Sequence, residues 1–274
     1  MKNKKYKILV LADLNKSAST ILKSSISLAK MIGGEIDFLY VKKPTEVVEK
    51  ENQFSALRTL KDAYVTSEKK IQMLLQPLYQ ENNMAINYIQ KIGNVKNEIG
   101  SYIKEHNPDI IVLGRKKNKL LQIGGDEITQ FILSKHPGVI LIASNNNALE
   151  PNQTLSLGVF QNQEETLNLA FATELLAHTK KPLKNFKVVK NSNLSQATLL
   201  EEKTNTVEYV FEEGTNSMEN LNNYLQKSNI NLFYVDRGLK AVNKGFSKNL
   251  EMKHIINKVN VPLLITGVKK YSLI

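Results

Sequence analysis

Two doubly wound parallel five-stranded sheets in tandem, the second unit shortened, are what this 274-residue α/β sequence predicts. Three observations carry the expectation. Short apolar runs alternate with amphipathic stretches, as they do when helical crossovers link parallel strands. The order begins again after a polar segment, Ser144-Asn145-Asn146-Asn147. An internal spacing also recurs, with 21 residues from Gly93 to Gly114 and 22 from Gly214 to Asp236.

The first strand is Lys7 to Ala12, and the helix behind it carries Ile21, Leu22, Ser25, Ile26, Ala29 and Ile32 at helical spacing up to Gly33-Gly34, a natural C-terminal stop. A strand over Ile36 to Val41 follows, then an amphipathic stretch from about Ser55 to Leu78 that Pro77 should end or bend near its last turn. Ala85 to Ile92 is a strand running into Gly93-Asn94 and a short helix with Val95, Ile99, Tyr102 and Ile103 on one face. Asn107-Pro108 breaks the chain before the buried strand Ile110 to Leu113. A polar loop from Gly114 to Gly125, a helix through Ile128, Phe131 and Ile132, and a strand at 139–143 complete the first unit. Parallel strands need crossovers, and right-handed crossovers cover both faces of the sheet.

Leu155 to Phe160, a helix through Leu167, Phe171 and Leu175, and strands at 186–189 and 207–211 repeat that order. Leu232 to Val235 stands in the place of Ile110 to Leu113, and Glu213-Gly214-Thr215 in the place of Ile92-Gly93-Asn94. A helix with Ile255 and Ile256 and a strand at 261–265 close the chain. The second unit has 17 residues between Val189 and Val207 where the first has 43 between Val41 and Ala85, so its second helix is short or missing. The expected domains are 1–146 and 153–274.

Composition excludes several function classes. Without cysteine there is no disulfide framework, zinc-thiolate site, iron–sulfur cluster or thiol nucleophile. The longest apolar runs, Ile8 to Ala12 and Val139 to Ala143, fall far short of the roughly 20 residues a membrane span needs. The lysines at 2, 4, 5 and 7 precede too short an apolar stretch for a signal peptide, so a cytoplasmic protein is expected. The net charge of +11 is spread as +7 before residue 151 and +4 after it, which favours solubility and weak adhesion to polyanions over a dedicated nucleic-acid site. The four histidines, His106, His136, His178 and His254, form no ligand pair in sequence, and no metal is expected. Neither a Gly-x-Ser-x-Gly elbow nor a Gly-x-x-x-x-Gly-Lys-Ser/Thr loop is present.

Taken together, Lys7 to Asp13, Leu28-Ala29-Lys30, Leu39-Tyr40-Val41, Gly93-Asn94-Val95 and Pro108 to Gly114 resemble the universal stress protein family, and the restart of the order resembles its tandem form. The resemblance implies an adenine nucleotide alpha hydrolase-like fold in each unit, often paired through the last strands of the sheets. Many family members bind ATP at the carboxyl ends of the strands, on a loop with the pattern Gly, two residues, Gly, nine residues, then Gly-Ser or Gly-Thr opening a helix. Glycines let the backbone approach phosphate, and the helix start favours an anion.

Mapped from Gly114, that pattern expects glycines at Lys117 and Glu127 and a hydroxyl at Ile128, and all three positions depart from it. Gly124 and Gly125 would supply a shortened turn, but Asp126 and Glu127 follow at the positive end of the helix dipole, where carboxylates repel triphosphate. Asp126 also reads as an ordinary helix cap. The basic run Arg115, Lys116, Lys117 and Lys119 either draws an external phosphate to the crevice or is a solvated loop. By the resemblance, Asp13 and Val41 match positions near adenine and ribose, so the candidate ATP site is Asp13, Val41, Gly114, Gly124 and Gly125, with no catalytic residue. The second unit has Gln161-Asn162 in place of the Asp and lacks the glycine pattern in Asp236 to Ser247, so no ATP is expected there.

The leading expectation is a tandem universal stress protein with an eroded nucleotide site and no cofactor, a stress-response binding or regulatory module working with an unidentified regulatory protein. The alternative is an ATP-binding switch or slow ATPase using the first domain alone, with adenine nucleotide as its ligand. A third reading is polyanion binding by the loop from Arg115 to Lys119. No membrane partner is expected. The apolar strands 139–143 and 261–265 should meet within one chain as a pseudo-dimer, because bare edges invite pairing; a homodimer of whole chains is left open.

Overall fold

The computed structural model describes residues 5–44, 53–115, 127–144, 148–150, 153–160, 170–189, 206–237 and 248–266. The first half runs β1 (Tyr6–Leu11), α1 (Ala18–Ile32), β2 (Gly34–Lys42), α2 (Gln53–Asn82), β3 (Ile86–Ile92), α3 (Val95–His106), β4 (Ile110–Gly114), α4 (Glu127–Lys135) and β5 (Val139–Ala143). The second runs β6 (Leu157–Phe160), α5 (Ala170–Ala177), β7 (Leu183–Val189), β8 (Thr206–Glu212), α6 (Ser217–Lys227), β9 (Leu232–Asp236), α7 (Lys248–Lys258) and β10 (Leu263–Thr266).

The two five-stranded arrays are joined in one ten-stranded sheet, ordered β3-β2-β1-β4-β5-β10-β9-β6-β7-β8. Within each half neighbouring strands are parallel. At the centre β5 and β10 run antiparallel, with Leu263 opposite Ile142, Leu264 opposite Leu141 and Ile265 opposite Ile140. Residues 139–143 and 263–265 are all buried, so the seam lies in the core. One apolar cluster on each face crosses it. Val10, Phe38, Leu141, Tyr234, Phe171 and Leu264 belong to the first; Leu9, Ile140, Ile142, Phe233, Leu263 and Ile265 belong to the second.

Local chemistry sets the element ends. Gly33 closes α1 in the left-handed conformation (φ 70°), its N–H donating to the Ala29 carbonyl. Asn107 does the same for α3 at φ 46°, directly before Pro108. Pro77 neither ends nor breaks α2, which continues to Asn82. The carbonyl it leaves unbonded is that of Met73, a residue 76% exposed, where water can satisfy it. The last strand starts two residues later than its apolar run, because Pro262 has no N–H for the ladder; its carbonyl instead accepts from the Phe233 N–H at 2.9 Å.

Helix α1 is buried on more than its sheet-facing side. Ser24, Ser25 and Ser27 are all buried, and Ser24 Oγ and Ser25 Oγ donate back to the carbonyls of Thr20 (3.0 Å) and Ile21 (2.8 Å). The segment after β5 lies against this helix. The Leu149 N–H donates to Ser24 Oγ (3.0 Å), Ser27 Oγ donates to the Glu150 carbonyl (3.1 Å), and the Tyr6 and Phe171 rings meet edge-on at 6.1 Å.

The halves diverge on the outer strands. In the first, Phe38 stands between Val10 and Tyr88; in the second, Asn185 stands between Val159 and Glu208. Asn185 Nδ2 donates to Glu208 Oε1 at 3.2 Å, and Lys187 pairs with the same carboxylate at 2.6 Å. An apolar patch of the first half has thus become polar in the second. The short or missing helix expected between β7 and β8 lies outside the described residues. No helix among the described residues is long and apolar enough to cross a membrane.

Candidate functional site

A doubly wound sheet leaves a crevice at its carboxyl edge where the strand order reverses, here between β1 and β4. Leu11 pairs with Leu39 on one side and Leu113 on the other, so Asp13, Val41 and Gly114 all lie just past that row, at the same edge. Asp13 is exposed, and its carbonyl accepts from the Asn15 N–H at 2.8 Å in the turn that leads into α1. Val41 is half-buried against the second apolar cluster. Gly114 is the last residue of β4, opposite Ala143. Gly124, Gly125 and Asp126, like Lys116, Lys117 and Lys119, lie outside the described residues.

The neighbouring turn is tightly specified. The Gly93 N–H donates to the Lys42 carbonyl at 3.0 Å, and Asn94 caps α3 by accepting from the Asn97 N–H at 3.2 Å. The matching bond in the second half comes from Glu213, whose N–H donates to the Val189 carbonyl at 2.8 Å. Glu213 therefore occupies the place of Gly93, one residue away from the alignment that the glycines suggest.

At the start of α4 the Glu127 carboxylate accepts from Lys96 Nζ at 2.7 Å, linking the first turn of α3 to the first residue of α4. The hydrogen bond and positive charge of Lys96 hold this carboxyl below the usual range, with Lys43 adding to the effect. Lys96 was not among the residues the sequence singled out. Only the fold brings positions 96 and 127 together.

Arg115 behaves as neither of the roles its basic run suggests. Its guanidinium reaches across the seam, Nη1 donating to the Ile256 carbonyl and Nη2 to that of Val261 at 3.3 Å. Burial pulls its pKa down to about 10, still charged at neutral pH. Arg237, directly after β9, mirrors it. Its Nη1 donates to the carbonyls of His136 (2.8 Å) and Leu133 (3.4 Å), and Nη2 to that of Gly138 (3.4 Å). The recurrence of arginine one residue past the fourth strand of each half, Gly114-Arg115 and Asp236-Arg237, was the available sequence signal.

His136, beside this contact, is 3% exposed, and burial together with the Arg237 charge lowers its pKa to about 4. Among the described residues no three His, Cys, Asp or Glu side chains converge as a metal site.

These features define a doubly wound α/β protein with the same strand order in each half. Residues 6–132, most of the first half, match the model of the universal stress protein family. The whole chain resembles the crystal structure of a universal stress protein from Archaeoglobus fulgidus DSM 4304 with a TM-score of 0.65 and 12% identity, covering 96% of this chain and 98% of that one. A functionally unknown protein from Pseudomonas aeruginosa PAO1 superposes with a TM-score of 0.58 and 13% identity over 96% of this chain and 92% of its own. At such identities the likeness establishes the fold. No curated protein matches the chain in sequence.

Proposed function

We propose that the protein is a tandem universal stress protein whose second half is a degenerate copy of the domain, acting as a stress-response binding and regulatory module without turnover of nucleotide. The mirrored strand orders, 3-2-1-4-5 and 8-7-6-9-10, support the tandem reading. The observation that carries the functional reading is the Lys96–Glu127 pair. A triphosphate seated at the start of α4 needs unopposed backbone N–H groups and nearby cations. Glu127 sets a carboxylate there and engages Lys96. Arg115, the cation nearest Gly114 in sequence, donates to carbonyls of the other half. These two engagements support a site unsuited to triphosphate.

The test is nucleotide content and thermal shift. Chromatography of the supernatant after denaturation should find no stoichiometric ATP or ADP, and magnesium-ATP at millimolar concentration should leave Tm unchanged. A ligand at 100 times its Kd would stabilise by about 2.7 kcal/mol. The convergence of Asp13, Val41 and Gly114 at one strand edge favours the competing reading, an ATP-binding switch in the first half. Near one nucleotide per chain would establish that alternative and overturn our proposal.

A further inference from the structure

The pseudo-symmetry of the arginine contacts goes beyond packing. Arg115 and Arg237 are 122 residues apart and occupy the first position after β4 and β9. Their acceptors repeat as well: Ile256 and Val261 stand 123 residues after Leu133 and Gly138. Each guanidinium thus forks into the same place on the opposite half, the turn between the last helix and the last strand. Arginine suits such a socket because its planar fork serves two carbonyls at once, which one ammonium cannot do in fixed geometry. The acceptors include carbonyls near the end of a helix, where the backbone lacks internal partners and favours a cation.

The donor's location gives the contact a consequence. Backbone bonding holds Arg115 at the sheet edge, its N–H donating to the Ala143 carbonyl at 3.1 Å, immediately after Gly114. The residue that follows β4 is therefore tethered to the end of α7 and the turn before β10 in the other half. By the mirrored contact, the residue that follows β9 is tethered to the end of α4 and the turn before β5.

We propose that Arg115 and Arg237 form a reciprocal latch that couples the carboxyl end of the fourth strand of each half to the helix–strand turn of the other, so that a disturbance at one strand end is transmitted across the seam. The coupling must act in both directions, because a free energy shared by two sites is reciprocal. It does not depend on whether the first crevice binds nucleotide.

Hydrogen–deuterium exchange on the full chain tests it, with Arg115→Ala, Arg237→Ala and the corresponding lysine variants. Two sets of amides report. Val259 N–H, bonded to Ile255, and Phe233 N–H, bonded to Pro262, read the turn of the second half; His136 N–H, bonded to Ile132, and Val139 N–H, bonded to Asp109, read that of the first. The expected result is crossed. R115A speeds exchange at the Val259 and Phe233 amides at least tenfold while leaving those of His136 and Val139 near wild type, and R237A does the reverse. The lysine variants keep the charge and the aliphatic stem and give the same crossed pattern at smaller amplitude, so they decide the matter if an alanine variant does not fold. Exchange raised only in the half that carries the substitution, raised equally in both turns, or unchanged would overturn the latch.

Discussion

Leu141 and Leu264 face each other across the antiparallel seam, both fully buried and in the same apolar cluster, so truncating them measures what joins the halves. A buried Leu→Ala change at a site that cannot collapse costs about 4 kcal/mol through lost transfer energy and the cavity left behind. Strand pairing on both sides holds the backbone here, so little relaxation is available. L141A and L264A should each lower stability by about 4 kcal/mol in urea titrations followed by circular dichroism. The double variant should cost about 1 kcal/mol less than the two together, since the second truncation enlarges an existing cavity. Each single variant should also destabilise both halves. If L264A cost under 1 kcal/mol, if the two costs simply added, or if each shifted a separate unfolding transition, the seam would not be a shared core.

The neutral, buried His136 makes stability depend on pH. Its folded pKa of about 4 lies below the ordinary 6.5, so the unfolded chain binds the extra proton first and stability falls as pH drops from 6.5 towards 4, by about 3 kcal/mol in all. H136Q should flatten that part of the curve in pH-dependent denaturation, and an unchanged slope would contradict the assignment. A Cβ on Gly138 would come within 2.5 Å of both the Asp109 carbonyl oxygen and His136 Nε2, so G138A should cost about 2 kcal/mol, whereas G214A, with open space around it, should be close to neutral by thermal melting. Asn107 holds φ 46°, so N107A should lower stability by about 1 kcal/mol while N107G leaves it nearly unchanged.

Periodicity was enough to locate strands and helices, because each buried strand is a nearly continuous apolar run and each helix repeats its apolar residues every three or four positions. Pairing of such strands also made the joining of 139–143 with the last strand a physical expectation, since neither edge could stay bare. The strand ends that bring Asp13, Val41 and Gly114 to one edge follow from the doubly wound order alone. Gly124 and Gly125 lie outside the described residues.

Tertiary structure decided the partners of polar and charged groups. Ser24 and Ser27 lie off the apolar stripe of α1, yet they are buried because residues 148–150 and α5 lie against that helix. Arg115 reads as one member of a basic loop, and its fate depends on carbonyls 141 and 146 residues away. Lys96 and Glu127 meet only because α3 and α4 lie side by side. Hydrophobic burial depends on a residue's own pattern of neighbours and so is written along the chain. A hydrogen bond or ion pair needs a second group at a few ångströms and a set angle, and only the folded chain supplies it.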